Sequence, residues 1–341
     1  MEKILVTGGT GYIGSHTVVE LLQKKYTVII ADNLSNSTIE VVDGIEKITG
    51  IRPYFEQVDI CEKEKVNALF EKYKDIKAII HFAAFKAVGE SVEMPLEYYQ
   101  NNLISLMNLL EVMKKYNQPG LVFSSSCTVY GQPDHLPVTE NAPVKKSLSP
   151  YGNTKQIAEE IIEDTLKAHP DLKALSLRYF NPIGAHPSAF IGELPKGVPL
   201  NLVPFVTQAV AGIRGKLKVF GNDYNTPDGT AIRDYINVVD LARAHIVAVE
   251  RILAGKQKSN YEMFNIGTGR GSSVLEIIQT FEKATGEKVD YEIVDRRPGD
   301  VEQVWADTKY ANKELGWKAD ISLEDTLASA WAWEKKIRKL K

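Results

Sequence analysis

The sequence predicts a doubly wound α/β fold, a parallel sheet covered by helices on both faces, with a smaller α/β domain at its C-terminal end. Three observations carry this. Short β-rich apolar runs alternate with helical-period stretches up to about residue 180. Runs such as Ile79-Ile80-His81-Phe82 are apolar nearly throughout, as strands covered on both faces are. A glycine-rich turn follows the first run and opens the first helical stretch.

Taken in order, the apolar β-rich runs place strands at Lys3–Thr7, Thr27–Asp32, Tyr54–Val58, Ala78–Phe82, Gly120–Ser125 and Ala174–Tyr179. Helical-period stretches place helices at Ile13–Lys24, Thr38–Thr49, Glu62–Tyr73, Leu96–Tyr116 and Gly152–Ala168. The rhythm changes after Phe180, where a stretch rich in glycine and proline runs to Leu200. Shorter elements follow: helices near Leu202–Ile213, Leu241–Leu253 and Val274–Thr285, and strands near Leu217–Phe220 and Arg233–Val238. The expected division is a nucleotide-binding Rossmann domain over 1–180 and a substrate domain over 181–341, partly interleaved with it.

A chain of 341 residues, 44% hydrophobic and 25% charged, has ordinary globular composition and length for a full core. A net charge of -3 gives no reason to expect nucleic acid or an anionic membrane as partner. No apolar run approaches the roughly 18 residues that span a bilayer. Two cysteines, Cys61 and Cys127, make no disulfide framework and fit a reducing cytosol. With the first strand at Lys3 there is no room for a signal peptide, so a cytoplasmic protein is expected. The histidines His16, His81, His135, His169, His186 and His245 show no metal-ligand spacing, and no metal is expected.

Thr7-Gly8-Gly9-Thr10-Gly11-Tyr12-Ile13-Gly14 joins the first strand to the first helix. Gly8, Gly11 and Gly14 form a variant of the dinucleotide fingerprint, in which the backbone approaches a pyrophosphate and the helix N-terminus supplies amide donors. Asp32 ends the second strand, where a carboxylate accepts from adenosine ribose hydroxyls and repels a 2′-phosphate. Asn33-Leu34-Ser35 brings no arginine, so the expected cofactor is NAD. Asp59 and Ile60 end the third strand and suit the adenine edge, although Asp59 reads equally as a helix cap.

Tyr151 and Lys155 are one helical turn apart behind Pro150, which can open a helix. An ammonium held beside a phenol favours the phenolate, giving a base for oxidising an alcohol. Alone, the pair reads more often as a half-exposed face with a snorkelling amine.

These motifs are joined by long strings: TGGTGYIGSHT from Thr7, DNLSNS from Asp32, HFAAFKAVGESV from His81, SSSCTVYG from Ser124 and SPYGNTK from Ser149. RYFNPIGAHPS from Arg178, FGNDYNTPDGT from Phe220 and RDYINVVDLA from Arg233 complete them. The chain resembles the extended short-chain dehydrogenase/reductase superfamily and, within it, the UDP-glucose 4-epimerase family, almost end to end. The resemblance implies reversible inversion at C4 of a UDP-hexose through a 4-keto sugar. Tyr151 would be the base, Lys155 its tuner and a nicotinamide-ribose ligand, and Ser126 the partner of the reacting hydroxyl. NAD would meet Tyr12, Ile13, Asp32, Asn33, Leu34, Ser35, Asn36, Ser37, Asp59, Ile60, Phe82, Ala83, Ala84, Phe85, Lys86, Asn101 and Phe180. The nucleotide sugar would meet Asn181, Asn201, Leu202, Lys218, Val219, Phe220, Arg233, Arg297, Pro298, Gly299, Asp300 and Val304.

Arg233 and Arg297 suit a diphosphate through guanidinium forks, and Asp300 the uridine ribose. Without the resemblance, Arg296-Arg297 and Asp300 read as a solvated loop and Arg233 as structural. The resemblance also implies a homodimer built on Leu96–Tyr116 and Gly152–Ala168, with Leu103, Leu106, Leu110 and Met113 as an apolar stripe. The same stripe equally suits packing on the sheet. Val304, seven positions beyond Arg297, borders the sugar pocket in the family. A valine there leaves more room than a tyrosine, enough to suggest N-acetylated UDP-sugars as further substrates, or it simply packs beside Trp305.

The nearest rivals are nucleotide-sugar 4,6-dehydratases and UDP-glucuronate decarboxylases, which begin with the same oxidation. The dehydratases carry an Asp-Glu pair just after the active-site Ser/Thr, where Cys127 and Thr128 stand here, and the decarboxylases usually carry Glu. A non-catalytic NAD-binding regulatory protein would predict a damaged Ser-Tyr-Lys set, yet all three residues are present.

Overall fold

The structure, a computed structural model, describes residues 2–116, 120–297 and 300–340. The chain runs β1 (Lys3–Thr7), α1 (Tyr12–Gln23), β2 (Thr27–Asp32), α2 (Glu40–Thr49), β3 (Tyr54–Gln57), α3 (Lys63–Lys72), β4 (Ile76–His81), α4 (Val88–Glu93) and α5 (Pro95–Tyr116). It continues through β5 (Gly120–Ser126), a 3-10 turn (Cys127–Tyr130), α6 (Pro150–Ala168), β6 (Lys173–Tyr179), β7 (Asn181–Ile183), α7 (Leu202–Val210), β8 (Leu217–Phe220), β9 (Ile232–Arg233) and β10 (Tyr235–Asn237). Last come α8 (Val238–Leu253), β11 (Tyr261–Ile266), β12 (Ser272–Ser273), α9 (Val274–Thr285), β13 (Tyr291–Val294), β14 (Gln303–Val304), α10 (Lys309–Leu315) and α11 (Leu323–Arg338).

Seven parallel strands make one sheet in the order β11-β6-β5-β4-β1-β2-β3. Strand alternation sends Ile4 and Val6 of β1 into one buried cluster, with Val18 of α1 and Ala248 of α8. Leu5 joins the opposite cluster with Phe70 of α3, Leu109 of α5 and Ile162 of α6. Both faces are therefore closed, as the continuous apolar runs predict. The strand order reverses between β1 and β4, so the loops that leave their carboxyl ends part and open a crevice. β11 and α8 belong to this layer although they follow residue 180 in the chain.

A smaller cluster gathers Val203 and Val206 of α7, Ile277 and Phe281 of α9, and Leu327 and Trp331 of α11. The short pairs β8–β13 and β7–β10 and the three-stranded β12-β9-β14 lie in this part of the chain. The single strand expected over Arg233–Val238 is split at Asp234. The Asp234 carboxylate accepts from the amides of Thr268, Gly269 and Ala306 and from the Thr268 hydroxyl, at 2.7–3.2 Å, so it staples three loops instead of continuing a ladder. The expected helix Leu202–Ile213 ends at Val210, just before Gly212 at φ +73. α4, β7, β11, β12, β13, β14, α10 and α11 had no counterpart in the periodicity. β11, YEMFNI, interrupts its apolar pattern with Glu262, which is buried because Arg251 holds both its oxygens at 2.7 and 2.9 Å.

The α5 stripe settles one open reading. Leu106, Leu110 and Met113 are buried in the sheet-facing cluster, and Leu103 packs on it. The apolar residues α5 leaves exposed are Leu96, Ile104 and Met107.

Candidate active site

The glycine turn makes the crevice floor. Gly8 lies at φ +69, and a Cβ there would stand 2.7 Å from the Ala83 amide nitrogen. A Cβ on Gly14 would stand 2.2 Å from the Gly8 carbonyl oxygen, so only glycine lets α1 pack this close to β1. Gly11 is the N-cap of α1 and no side chain caps the helix, which leaves the amides of its first turn facing the crevice end without an internal acceptor. This is a cradle for an anionic group.

Asp32 is 8% exposed and accepts from the Thr10 amide at 3.1 Å, the Leu34 amide at 2.9 Å and the Ser37 hydroxyl at 3.2 Å. A carboxylate has about four acceptor positions, so one remains for a ribose hydroxyl. Asn33 donates to Asp59 at 2.9 Å and its side-chain oxygen accepts from the Ser35 amide, so the acidic loop is preformed. Asn36 is exposed, and the Ile60 side chain is buried in the core below. Tyr12 donates to the Gly184 carbonyl at 2.6 Å, while Ile13 packs on the core.

Along the far wall, Phe82, Ala83, Ala84 and Phe85 are half-buried and Lys86 is exposed, 3.5 Å from Glu193. Asn102, absent from the sequence-derived set, pins this loop: it accepts from the Phe85 amide at 2.8 Å and donates to the Phe85 carbonyl at 3.0 Å and the Thr154 hydroxyl at 3.1 Å. Asn101 beside it donates to Asn102 at 2.9 Å. Asparagine disfavours helix interiors, so its place in mid-helix is the signal the sequence carries for this role.

The candidate serine, tyrosine and lysine come together where β5 ends and α6 begins. Ser149 caps α6 by accepting from the Gly152 amide at 3.2 Å, and Pro150 opens the helix, two residues earlier than the periodicity indicates. Ser126, 7% exposed, accepts from the Thr128 amide at 3.2 Å and lies near the Tyr151 phenol. Burial pushes the Tyr151 phenol up to about 12, against the nearby Ser126 hydroxyl, which favours the phenolate. This differs from the expectation that Lys155 lowers it. The Lys155 ammonium instead donates to the Ser124 carbonyl at 2.7 Å, 5.8 Å from the Tyr151 ring centre and 4.8 Å from that of Phe123. Burial brings Lys155 itself down to about 8, opposed by the Glu159 carboxylate. Cys127 is a free thiol that burial raises to about 12, so it is inert as a nucleophile. Phe180 is buried beside Val304 and beside Val129 and Tyr130 of the turn that follows β5.

On the C-terminal side, Arg233 donates to Asp300 at 2.5 Å and to the Ile232 carbonyl at 2.8 Å. Arg297 lies over the Phe220 ring, 4.0 Å from its centre. Asn201 donates to Glu193 at 2.8 Å, and the Asn181 amide donates to the Asp234 carbonyl at 2.9 Å. Lys218 is exposed, whereas the Val219 side chain is in the small core and Leu202 packs on that core. Val304 is 6% exposed and pairs in register with Arg233. Pro298 and Gly299 lie outside the described residues. No group of three or more possible metal ligands is present among the described residues.

A family model described as GDP-mannose 4,6 dehydratase matches residues 5–330. The UDP-glucose 4-epimerase of Yersinia enterocolitica is 48% identical over 333 residues, 98% of this chain and 97% of its own. A UDP-glucose 4-epimerase from Stenotrophomonas maltophila, solved with bound NAD and formylated UDP-arabinopyranose, superposes with a TM-score of 0.96 at 45% identity, covering 100% of both chains. That of Bifidobacterium longum, in complex with NAD+ and UDP, gives 0.94 at 45% identity over 99% of this chain and 100% of its own. Identity at this level over whole chains, with Cys127 and Thr128 where a dehydratase needs carboxyl groups, separates this protein from the dehydratases that the broader model describes: the chain belongs to the UDP-glucose 4-epimerase family.

Proposed function

We propose that this protein interconverts UDP-glucose and UDP-galactose at C4 through a transient 4-keto sugar, using tightly bound NAD. The observation that carries this is Tyr151 opening α6 one turn before a buried Lys155, whose ammonium is bonded to the Ser124 carbonyl at the end of β5, two residues before Ser126. NAD, when bound, supplies a reversible two-electron oxidant and ends each turnover unchanged. Gly8, Gly11 and Gly14 would admit its pyrophosphate, and Asp32 its adenosine ribose. Tyr151 takes the O4 proton as C4 is oxidised and returns it when the sugar has presented its other face. Ser126 orients O4, and Lys155 holds positive charge near the phenolate.

Arg233 and Arg297 grip the diphosphate and Asp300 the ribose, so the nucleotide is fixed while the hexose turns. On this reading residues 1–180 form most of the cofactor wall and residues 181–341 the nucleotide-sugar wall. The products of purified protein with UDP-galactose test it: UDP-glucose without loss of water is expected, and a 4-keto-6-deoxy product would overturn it.

A second reading extends the substrates to UDP-N-acetylhexosamines, because valine rather than tyrosine occupies position 304. We also place the protein in the cytoplasm as a homodimer, with no nucleic-acid partner. Free Cys61 and Cys127 and the exposed Leu96, Ile104 and Met107 of α5 support these assignments. A monomeric mass by light scattering at micromolar concentration would contradict the dimer.

A further inference from the structure

Ser125 and Ser126 leave β5 towards opposite sides. Ser126 accepts from the Thr128 amide on the Tyr151 side, whereas the Ser125 hydroxyl donates to Glu159 Oε1 at 2.6 Å. Glu159 stands one turn beyond Lys155 on α6. Arg178 of β6 closes a fork on it, Nε to Oε1 at 2.9 Å and Nη2 to Oε2 at 2.5 Å. Arg178 Nη1 also donates at 3.0 Å to the Tyr130 hydroxyl, at the end of the turn that follows Ser126. Tyr130 donates in turn to Asn265 of β11 at 2.6 Å. Glu159 and Arg178 are 7% and 3% exposed.

From this geometry we infer that Glu159 is a positioning residue of the epimerisation: one buried carboxylate ties α6 to the end of β5, so that Tyr151 meets Ser126, and supplies the counter-charge behind Lys155. The inference rests on the reaction proposed above. A buried ion pair adds no general stability over well-packed apolar residues, so stability alone does not account for charge at this place.

The surroundings of Lys155 identify what the charge does. From β5 it meets the Ser124 carbonyl and the Phe123 ring. From β4 it faces His81, which burial and then the Lys155 charge hold neutral, down to about 3. From β6 comes the Tyr179 phenol, bonded to the Ser124 hydroxyl, with His245 of α8 behind it, also neutral. From α6 come Tyr151 and Glu159. Every one of these groups except Glu159 is uncharged, and burial alone drives Lys155 towards the neutral amine. Arg178 is bonded to Glu159, and its guanidinium stands 5.0 Å from the centre of the Tyr130 ring.

The test uses the holoenzyme with UDP-galactose. Glu159→Gln alone strands the Arg178 charge, so it is combined with Arg178→Met. The double variant is expected to bind NAD, to keep KM within about threefold, and to lose roughly a hundredfold in kcat through misplacement. Burial brings Lys155 down to about 8, so the wild-type rate is expected to fall on the alkaline side as Lys155 loses its proton, and in the double variant this limb is expected to move to lower pH. Glu159→Asp keeps the charge on a shorter tether, and is expected to lower kcat with the limb unmoved. A folded double variant with wild-type kcat and an unmoved limb would overturn the inference. If the double variant does not fold, wild-type kcat in Glu159→Asp overturns it. Inactivity of the wild-type holoenzyme itself would instead remove the reaction on which the inference depends.

Discussion

Arg233 and Asp300 pair with one another at 2.5 Å across the mouth of the crevice, 16% and 27% exposed. Each is a proposed ligand of the nucleotide sugar, one for its diphosphate and the other for its ribose. Binding therefore exchanges a partly exposed ion pair, worth at most about 1 kcal/mol, for charge-assisted bonds to two phosphates and a ribose. Arg233→Ala is expected to weaken UDP binding roughly ten- to hundredfold, measured by calorimetry on the NAD-loaded protein. Unchanged affinity would assign Arg233 to the fold.

Tyr151→Phe keeps the ring and removes the ionisable oxygen. Turnover is expected to fall by roughly two to four orders of magnitude with NAD still bound. Rates near wild type would exclude Tyr151 as the base.

Acid stability depends on buried histidines. His16 and His81 are held down to about 3 and His245 to about 4, in each case first by burial. Their folded-state values lie below the unfolded value of about 6.5, so the unfolded chain takes up protons first. The cost is absent above pH 6.5 and grows as pH falls towards 3, by about 1.4 kcal/mol per pH unit for each histidine. His81→Asn, which can keep the bond to the Thr7 hydroxyl, is expected to lose about 2 kcal/mol less between pH 7 and 4.5 than wild type in urea unfolding. Equal losses would show that His81 does not contribute.

Val304 tests the breadth of the substrate pocket. It is buried among Val129, Tyr130, Val138, Phe180 and Ala306, beside the turn that follows β5. If the wider-substrate reading holds, the wild type turns over UDP-N-acetylglucosamine, and Val304→Tyr abolishes that activity while UDP-glucose still reacts. Inert UDP-N-acetylglucosamine with an active UDP-glucose reaction rejects the reading. Loss of both activities in the variant points to overpacking of the cluster instead.

The sequence by itself determined the doubly wound sheet and the places of the glycine turn, Asp32, Ser126, Tyr151 and Lys155 on its elements, because each is a local pattern. Closed-face strands read as apolar runs, a pyrophosphate turn reads as spaced glycines, and one helical turn separates Tyr151 from Lys155. The chain beyond residue 180 was less legible. β9, β12 and β14 are two-residue strands with no period to detect, held by partners far away in the chain such as the Asp234 staple. Only the tertiary structure decided that the α5 stripe faces its own sheet and that Arg233 pairs with Asp300. It also decided that the Lys155 ammonium is bonded to Ser124, with Glu159 as its counter-charge. These depend on which side chains burial brings together and how strongly it penalises their charges, and neither quantity is local.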